Sequence, residues 1–426
     1  MKVLIITYYW PPAGGSGVQR WLKFVKYLQE FDVEPIVYTV QNPNYPILDA
    51  NLEEEIPASV KVLKQPIREP NNILSFFKKN KSKQSAGFLN PNPSLLGKFM
   101  QYVRANYFIP DARKYWIKPS VNYLLEYLKQ HPVDCIISSG PPHSLHLIGM
   151  EIKNKLNVKW ISDFRDPWTD IDYFDQLPLT ESAKLKHHQL EQKVLKSSDA
   201  VLVIGKTMKE NYTPFSDNIS VLTNGYDSTK IESKPVKLDA MFSITHIGLM
   251  NADRNPFVFW RAIKELCKEN IDFSKDLEIK LIGKIAKEVT VELEKLPKVK
   301  ITLIDYVSHK KVKEYQQQSQ VLLLAVNNVA SAKGIITGKI FEYLQAKRPI
   351  LAIGPKDGDL AEIINQTNAG SIVDFYDVKL LKTELLKMYQ SFKLKKLEIA
   401  SNDIEQYHRK NLTKKLSMII KDTVLN

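Results

Sequence analysis

Gly338, Lys339 and Glu342 fall within one short stretch of the segment SAKGIITGKIFEYLQAKRPILAIG, residues 331 to 354. They supply a loop glycine, a cation at a helix start and a carboxylate one turn later. Gly338 lets the backbone come close to a ligand, free N–H groups at the helix start attract an anion, and Lys339 adds a full charge there. Glu342 shares a helix face with Lys339 and can accept hydrogen bonds from hydroxyl groups. Phosphates against the lysine and ribose hydroxyls against the glutamate are what a nucleoside diphosphate would bring. The competing reading is an exposed Lys/Glu pair on an ordinary amphipathic helix, worth a few tenths of a kcal/mol.

Other residues extend this site. Arg254 in GLMNADRNP follows Gly248 just past a strand and is the second cation expected for a diphosphate. Two cations converging on two phosphates can replace a metal. Asn224 in TNGYD sits at a strand end before the linker and is placed to meet the same ligand, although Asn-Gly is also the commonest turn dipeptide. Asp163 and Asp166 flank Arg165 at the carboxyl end of the strand KWISDF, where ligands of open α/β sheets bind. A carboxylate beside an arginine stays ionised and suits accepting a hydroxyl proton, unless the three groups merely neutralise one another to fix the loop. His143 in SSGPPHS is the alternative base, because its unperturbed pKa lies near working pH.

GKIFEYLQAKRPI at 338 to 350 resembles the donor-binding segment of GT-B glycosyltransferases of the large retaining family four. The similarity extends over most of the chain, through PPAGGSGVQR at 11 to 20, DFRDPW at 163 to 168, TNGYD at 223 to 227 and HIGLMNADRNP at 246 to 256. It implies two Rossmann-like domains facing across a cleft, with a nucleotide sugar between them. It also implies that Gly14, Gly15 and Gly17 let backbone N–H groups approach the donor diphosphate from the opposite wall; a tight strand-to-helix turn is the other use for such glycines. In such retaining enzymes a donor phosphate oxygen takes the acceptor proton, and no protein nucleophile is needed. One departure stands out: where family members carry a further glutamate eight positions before Glu342, this chain has Gly334. Contacts to the sugar ring then fall to loop backbone from Ala332 to Ile336.

Rival functions fare less well. A dinucleotide fingerprint needs G-x-G-x-x-G and an acid about 20 positions on. Here Gly15 and Gly17 are followed by Arg20, and the second strand candidate ends Tyr38, Thr39, Val40, Gln41, so a nicotinamide dehydrogenase does not fit. D-x-D occurs at 170 to 172 and 357 to 359, no more than 47 acidic residues give by chance, and His143 with His146 has no third ligand nearby. No metal and no cofactor is expected. Two alternatives stay open: a nucleotide-sugar epimerase on the same fold, and a non-enzymatic basic protein that binds membrane or nucleic acid.

The elements that must position these residues follow from length and patterning. At 426 residues the chain is too long for one core and suits two domains of about 200 residues. Apolar runs without strict alternation, separated by helices, argue for parallel sheets covered on both faces. In the first half these are VLIIT, PIVYTV, VDCIISS, KWISDF, AVLVIG and ISVLT; in the second, FSITHIG, DLEIKLIG, VKITLID, VLLLAV, PILAIG and SIVDF. The expected division is an acceptor domain over 1–228, a linker over 229–241, a donor domain over 242–401, and a helix over 402–426 that the resemblance returns to the first domain.

The formal charge of +13 is concentrated. Ten Lys or Arg residues against Glu69 and Asp111 lie between Arg68 and Lys118, interleaved with aromatics. This insertion, about 68–118, suits an anionic membrane surface and a lipid-linked or otherwise anionic acceptor rather than nucleic acid, or else it is a solvated loop whose aromatics pack on the domain beneath. VLII after Met1 and Lys2 is too short for a signal-peptide core, and Cys135 and Cys267 read as buried thiols. The expected setting is the cytoplasm, at the inner face of a membrane.

Overall fold

In the computed structural model, which describes residues 1–67, 94–227, 236–305, 307–399 and 401–426, the chain forms two compact units. Unit 1 comprises Met1–Asn224 and Arg409–Asn426, and unit 2 comprises Gly225–His408.

Unit 1 runs β1 (Lys2–Ile6), α1 (Ser16–Leu28), β2 (Glu34–Val40), β3 (Lys61–Gln65), α2 (Leu95–Tyr107), α3 (Ile117–Gln130), β4 (Cys135–Gly140), α4 (Ser144–Leu156), β5 (Lys159–Phe164), α5 (Glu181–Ser197), β6 (Ala200–Val203), α6 (Lys206–Tyr212) and β7 (Ile219–Val221). The sheet order is β3-β2-β1-β4-β5-β6-β7, with every pair parallel. Strand order therefore reverses between β1 and β4, and the crevice at such a switch point is where loops meet ligands. Every residue of β4 is buried, as befits a central strand covered on both faces. The sheet separates two apolar clusters, one around Tyr38, Trp116 and Trp160, the other around Trp10, Trp21 and Phe24. The edge strand β3, KVLKQ, was not among the expected strands. Its lysines point to water and only Leu63 is buried, so it lacks the continuous apolar run that marked the others.

Unit 2 repeats the scheme with β8 (Phe242–Ile247), α7 (Phe257–Glu269), α8 (Ile271–Asp276), β9 (Leu277–Ile282), α9 (Lys287–Glu294), β10 (Lys300–Ile304), α10 (His309–Gln318), β11 (Val321–Ala325), α11 (Lys339–Ala346), β12 (Ile350–Ile353), α12 (Asp359–Thr367), β13 (Gly370–Val373) and α13 (Val378–Lys393). Its parallel sheet has the order β10-β9-β8-β11-β12-β13. The expected strands FSITHIG, DLEIKLIG, VLLLAV and PILAIG are all here, shortened by a residue or two where a glycine or turn ends pairing. Ser308 stands at the N-cap of α10, without a side-chain capping bond. The chain then returns to unit 1 in α14 (Arg409–Leu425), which buries Leu412, Leu416 and Ile420 in the cluster that holds α1.

Of the expected linker, 229–235 lie outside the described residues, and so do 68–93 of the basic insertion.

Candidate active site

In unit 2 the loops at the carboxyl ends of β8 and β9 meet the start of α11. That helix is held from below: Ile340, Phe341, Tyr343 and Leu344 are buried, and the Tyr343 hydroxyl accepts from the Ile247 amide at 3.2 Å. Its N-cap, Gly338, has an ordinary helical backbone, and a Cβ there would meet nothing within 4 Å. The space in front of the helix start is thus open.

Gly248 is a different kind of glycine. Its φ of +114° favours glycine, and a Cβ would lie 2.5 Å from Lys339 Cε and 3.0 Å from its Nζ. Gly283, at the end of β9 with φ +116°, is pressed against the Gly248 carbonyl in turn. The lysine side chain therefore runs over a floor of two glycines, and any larger residue at 248 would block it.

Lys339 makes no ion pair among the described residues, and its ammonium is pushed down to about 7, first by burial and then by the nearby positive charge of Arg254, with Glu342 opposing. Arg254 is positioned by a short 3-10 turn, Ala252–Arg254, capped by the Asn251 side chain, and one guanidinium nitrogen donates to the Leu249 carbonyl at 3.1 Å. His246 is also buried here. Its pKa is driven well down by burial and by the charges of Lys339 and Arg254, and its Nδ1 is 3.1 Å from the Leu323 carbonyl, which can only accept, so Nδ1 carries the proton. Glu342 is half-buried and oriented by Gln316, whose Nε2 donates at 3.0 Å. Two cations, an open helix start and an oriented carboxylate thus gather in unit 2, where the structure brings together Gly248, Arg254, Gly338, Lys339 and Glu342. Gly283, His246 and Gln316 were missed. Only the glycine after a strand, LIG, carried a visible signal.

Unit 1 treats its two aspartates differently. Asp163 is fully buried, with one oxygen 2.7 Å from the Arg20 guanidinium and the other receiving hydrogen bonds from Trp21 Nε1 at 2.9 Å and Ser139 at 2.8 Å. Burial alone would raise its pKa, but the charge and hydrogen bonds of Arg20, with Ser139 and Trp21, hold it below the usual carboxylate range. Asp163 is thus saturated, which corrects its expected role as a base at the acceptor. Its partner is Arg20 and not Arg165. Arg20 also donates to the carbonyls of Leu222 and Thr223 and to the Asn224 side chain at 3.2 Å, so the ion pair fixes the strand end that carries Asn224.

Asp166 keeps 45% of its side chain exposed, and Arg165 Nε stands 3.7 Å away. The Arg165 guanidinium donates to the carbonyls of Gly17 at 2.7 Å and Pro141 at 3.1 Å and lies over the Tyr9 ring. It therefore fills the space over Gly17, where a Cβ would touch it at 3.0 Å. Gly15, φ +88°, is the N-cap of α1. The amide of Gly14 is already bonded to the Ile47 carbonyl, so this glycine does not offer an N–H to a phosphate. His143 is 8% exposed and stacks on Trp168 at 4.7 Å. Burial, then the charges of His146, Arg165 and His187, keep its pKa far below the ordinary value, so the ring is neutral. No group of three or more His, Cys, Asp or Glu side chains able to hold a metal ion occurs among the described residues.

No protein-family model matches the sequence, and no curated protein does. Solved structures do match in shape. The Anabaena HepE protein, in complex with UDP and glucose, is 12% identical, with 99% of this chain and 100% of that one covered and a TM-score of 0.60. The lipopolysaccharide outer core galactosyltransferase WaaB is 12% identical over 99% of each chain, at 0.61. A putative UDP-N-acetylglucosamine 2-epimerase from Listeria monocytogenes is also 12% identical, over 99% of this chain and 96% of its own, at 0.52. Likeness at this level of identity is likeness of fold: two Rossmann-like domains of the GT-B type.

Proposed function

We propose that this chain is a glycosyltransferase, moving a sugar from a nucleoside-diphosphate sugar to a hydroxyl of a glycan or lipid-linked acceptor in polysaccharide synthesis, with retention. The observation that carries the reading is the buried Lys339, without an ion pair among the described residues, beside Arg254 at an open helix start. Burying a lysine next to an arginine disfavours its charged form until an anion arrives. A diphosphate supplies the anion, and Glu342 takes the ribose hydroxyls. UDP is the first nucleotide to test, because HepE binds it.

Chemically, the acceptor oxygen forms a bond to the anomeric carbon while the bond from that carbon to the diphosphate oxygen breaks. Charge develops on the departing diphosphate, where Lys339, Arg254 and the N-terminus of α11 stabilise it in place of a divalent ion. A phosphate oxygen of the donor receives the acceptor proton on the same face, which preserves the anomeric configuration. Asp166, exposed beside Arg165, orients the acceptor hydroxyl; His143, neutral and able to accept a hydrogen bond, is the other candidate for that duty. The site works at the cytoplasmic face of an anionic membrane, consistent with the charge of +13 and the basic stretch over 68–118.

The test is turnover of UDP-, GDP- and ADP-sugars with and without added acceptor. Acceptor-dependent nucleotide release supports the proposal. Turnover without any acceptor would make the chain an epimerase, and no turnover with any sugar nucleotide would leave it a binding protein.

A further inference from the structure

Helix α2 buries none of its residues, although most of them are apolar or aromatic. Leu95 is 86% exposed, Leu96 67%, Phe99 63% and Tyr107 65%, with Tyr102 also exposed. Leu95, Phe99 and Tyr102 recur at spacings of four and three, and Leu96 borders them one residue on, so these side chains form one continuous arc rather than a scatter. Monomeric proteins rarely leave such an arc to water. The helix is nevertheless fixed to unit 1 near its end: Asn106 Nδ2 donates to the Pro178 carbonyl at 2.8 Å, and its Oδ1 accepts from the Thr180 amide at 2.7 Å and hydroxyl at 2.9 Å.

The arc has a charge signature. No acidic residue occurs from Ser94 to Pro110, while Lys98 and Arg104 flank the apolar face. Just beyond the helix, the Lys114 ammonium lies 5.2 Å from the Phe108 ring and 5.0 Å from the exposed Tyr115 ring. Apolar side chains at the centre, tyrosines at the margin and cations around them match the boundary between acyl chains and anionic headgroups. Thirteen residues make a rod of about 20 Å, too short to span a bilayer core of about 30 Å, and no described helix is long and apolar enough to cross a membrane. The geometry is that of a helix lying in a surface.

We infer that α2 is the membrane-contacting element of this protein, seating Leu95, Leu96 and Phe99 among the acyl chains of an anionic bilayer. The inference deepens the reading of a lipid-linked acceptor, on which it rests for its purpose and not for its test. It also changes the kind of attachment expected. Attraction by lysines alone is screened by salt, whereas burial of an apolar arc persists in it.

The test is flotation of the full chain with phosphatidylglycerol-containing vesicles and with pure phosphatidylcholine vesicles, at low and high salt. The wild type should float with the anionic vesicles and remain partly bound at high salt. Leu96→Ser combined with Phe99→Ser should weaken partitioning at least about tenfold at both salts, since each loses a large apolar side chain to water. Lys98→Ser should weaken it at low salt only. Circular dichroism, the thermal midpoint and calorimetric UDP binding should be unchanged in both variants. A wild type that does not float, or a Leu96→Ser/Phe99→Ser variant that floats equally well, overturns the inference. So does a dimer, seen by light scattering, that this variant dissolves without any vesicle binding. If vesicle binding follows the pattern but no sugar is transferred, the proposed function fails and the membrane surface stands.

Discussion

Lys339 makes donor binding pH-dependent in a direction the site dictates. Its ammonium, pushed from 10.5 to about 7 in the folded protein, carries a penalty of at most about 5 kcal/mol against the charged form. The unfolded chain keeps that proton up to about 10.5 and the folded chain only to about 7, so between these values the unfolded state binds more protons and this residue's contribution to stability rises with pH. A nucleoside diphosphate reverses the balance, because its negative charge holds the proton on Lys339. Binding therefore takes up about half a proton near pH 7 and close to a full one by about pH 8.5. Below pH 7 the affinity should be level with respect to this residue. Above it the dissociation constant for UDP should rise about tenfold, or about 1.4 kcal/mol, per pH unit until the lysine of the complex also titrates. The assay is isothermal calorimetry from pH 7 to 9 in buffers of different ionisation enthalpy, which reports affinity and proton uptake together. Lys339→Arg, which keeps its charge throughout, should abolish both the slope and the uptake. An affinity that is flat over this range in the wild type, or that slopes equally in Lys339→Arg, would refute the assignment of Lys339 as the buried cation that the phosphates meet.

Three further outcomes are expected. Gly338→Ala should leave the urea-unfolding midpoint unchanged, because its backbone is ordinary and no atom lies within 4 Å of the added methyl, yet lower UDP affinity in calorimetry; Gly248→Ala should destabilise by about 1 to 3 kcal/mol as well, through its positive φ and the collision with Lys339. Asp166→Asn should cut kcat much more than donor affinity, and if turnover survives it while His143→Ala abolishes activity, the histidine and not Asp166 orients the acceptor hydroxyl. Arg20→Ala should lower stability by about 3 to 5 kcal/mol in urea titrations, because it leaves Asp163 buried without its cation; a loss below about 1 kcal/mol would mean that water replaces the guanidinium.

Much of the sheet architecture was legible in the chain itself. Central parallel strands such as KWISDF and VLLLAV lie between two layers of helices, so their burial on both faces is written as unbroken apolar runs, and those runs became β5 and β11. An edge strand needs only one buried face, which is why KVLKQ passed unnoticed. That Lys339 and Glu342 share a helix face was also readable, because helical periodicity acts over three or four residues. What lay beyond local spacing was decided by the fold. Arg254 lies near Lys339 because β8 ends and α11 begins at the same end of the sheet, and Asp163 takes Arg20, 143 residues away, because α1 packs over the end of β5. Nothing in DFRDPW separates its two aspartates; one lands in a dry core with a guanidinium and two donors, the other at the surface beside Arg165. The same holds for α2: its sequence fitted either a membrane surface or a solvated loop packed on the domain beneath, and only the folded domain shows that its apolar face is left uncovered. Sequence sets the periodicity of each element, but desolvation and charge pairing depend on which elements meet, and those contacts exist only after folding.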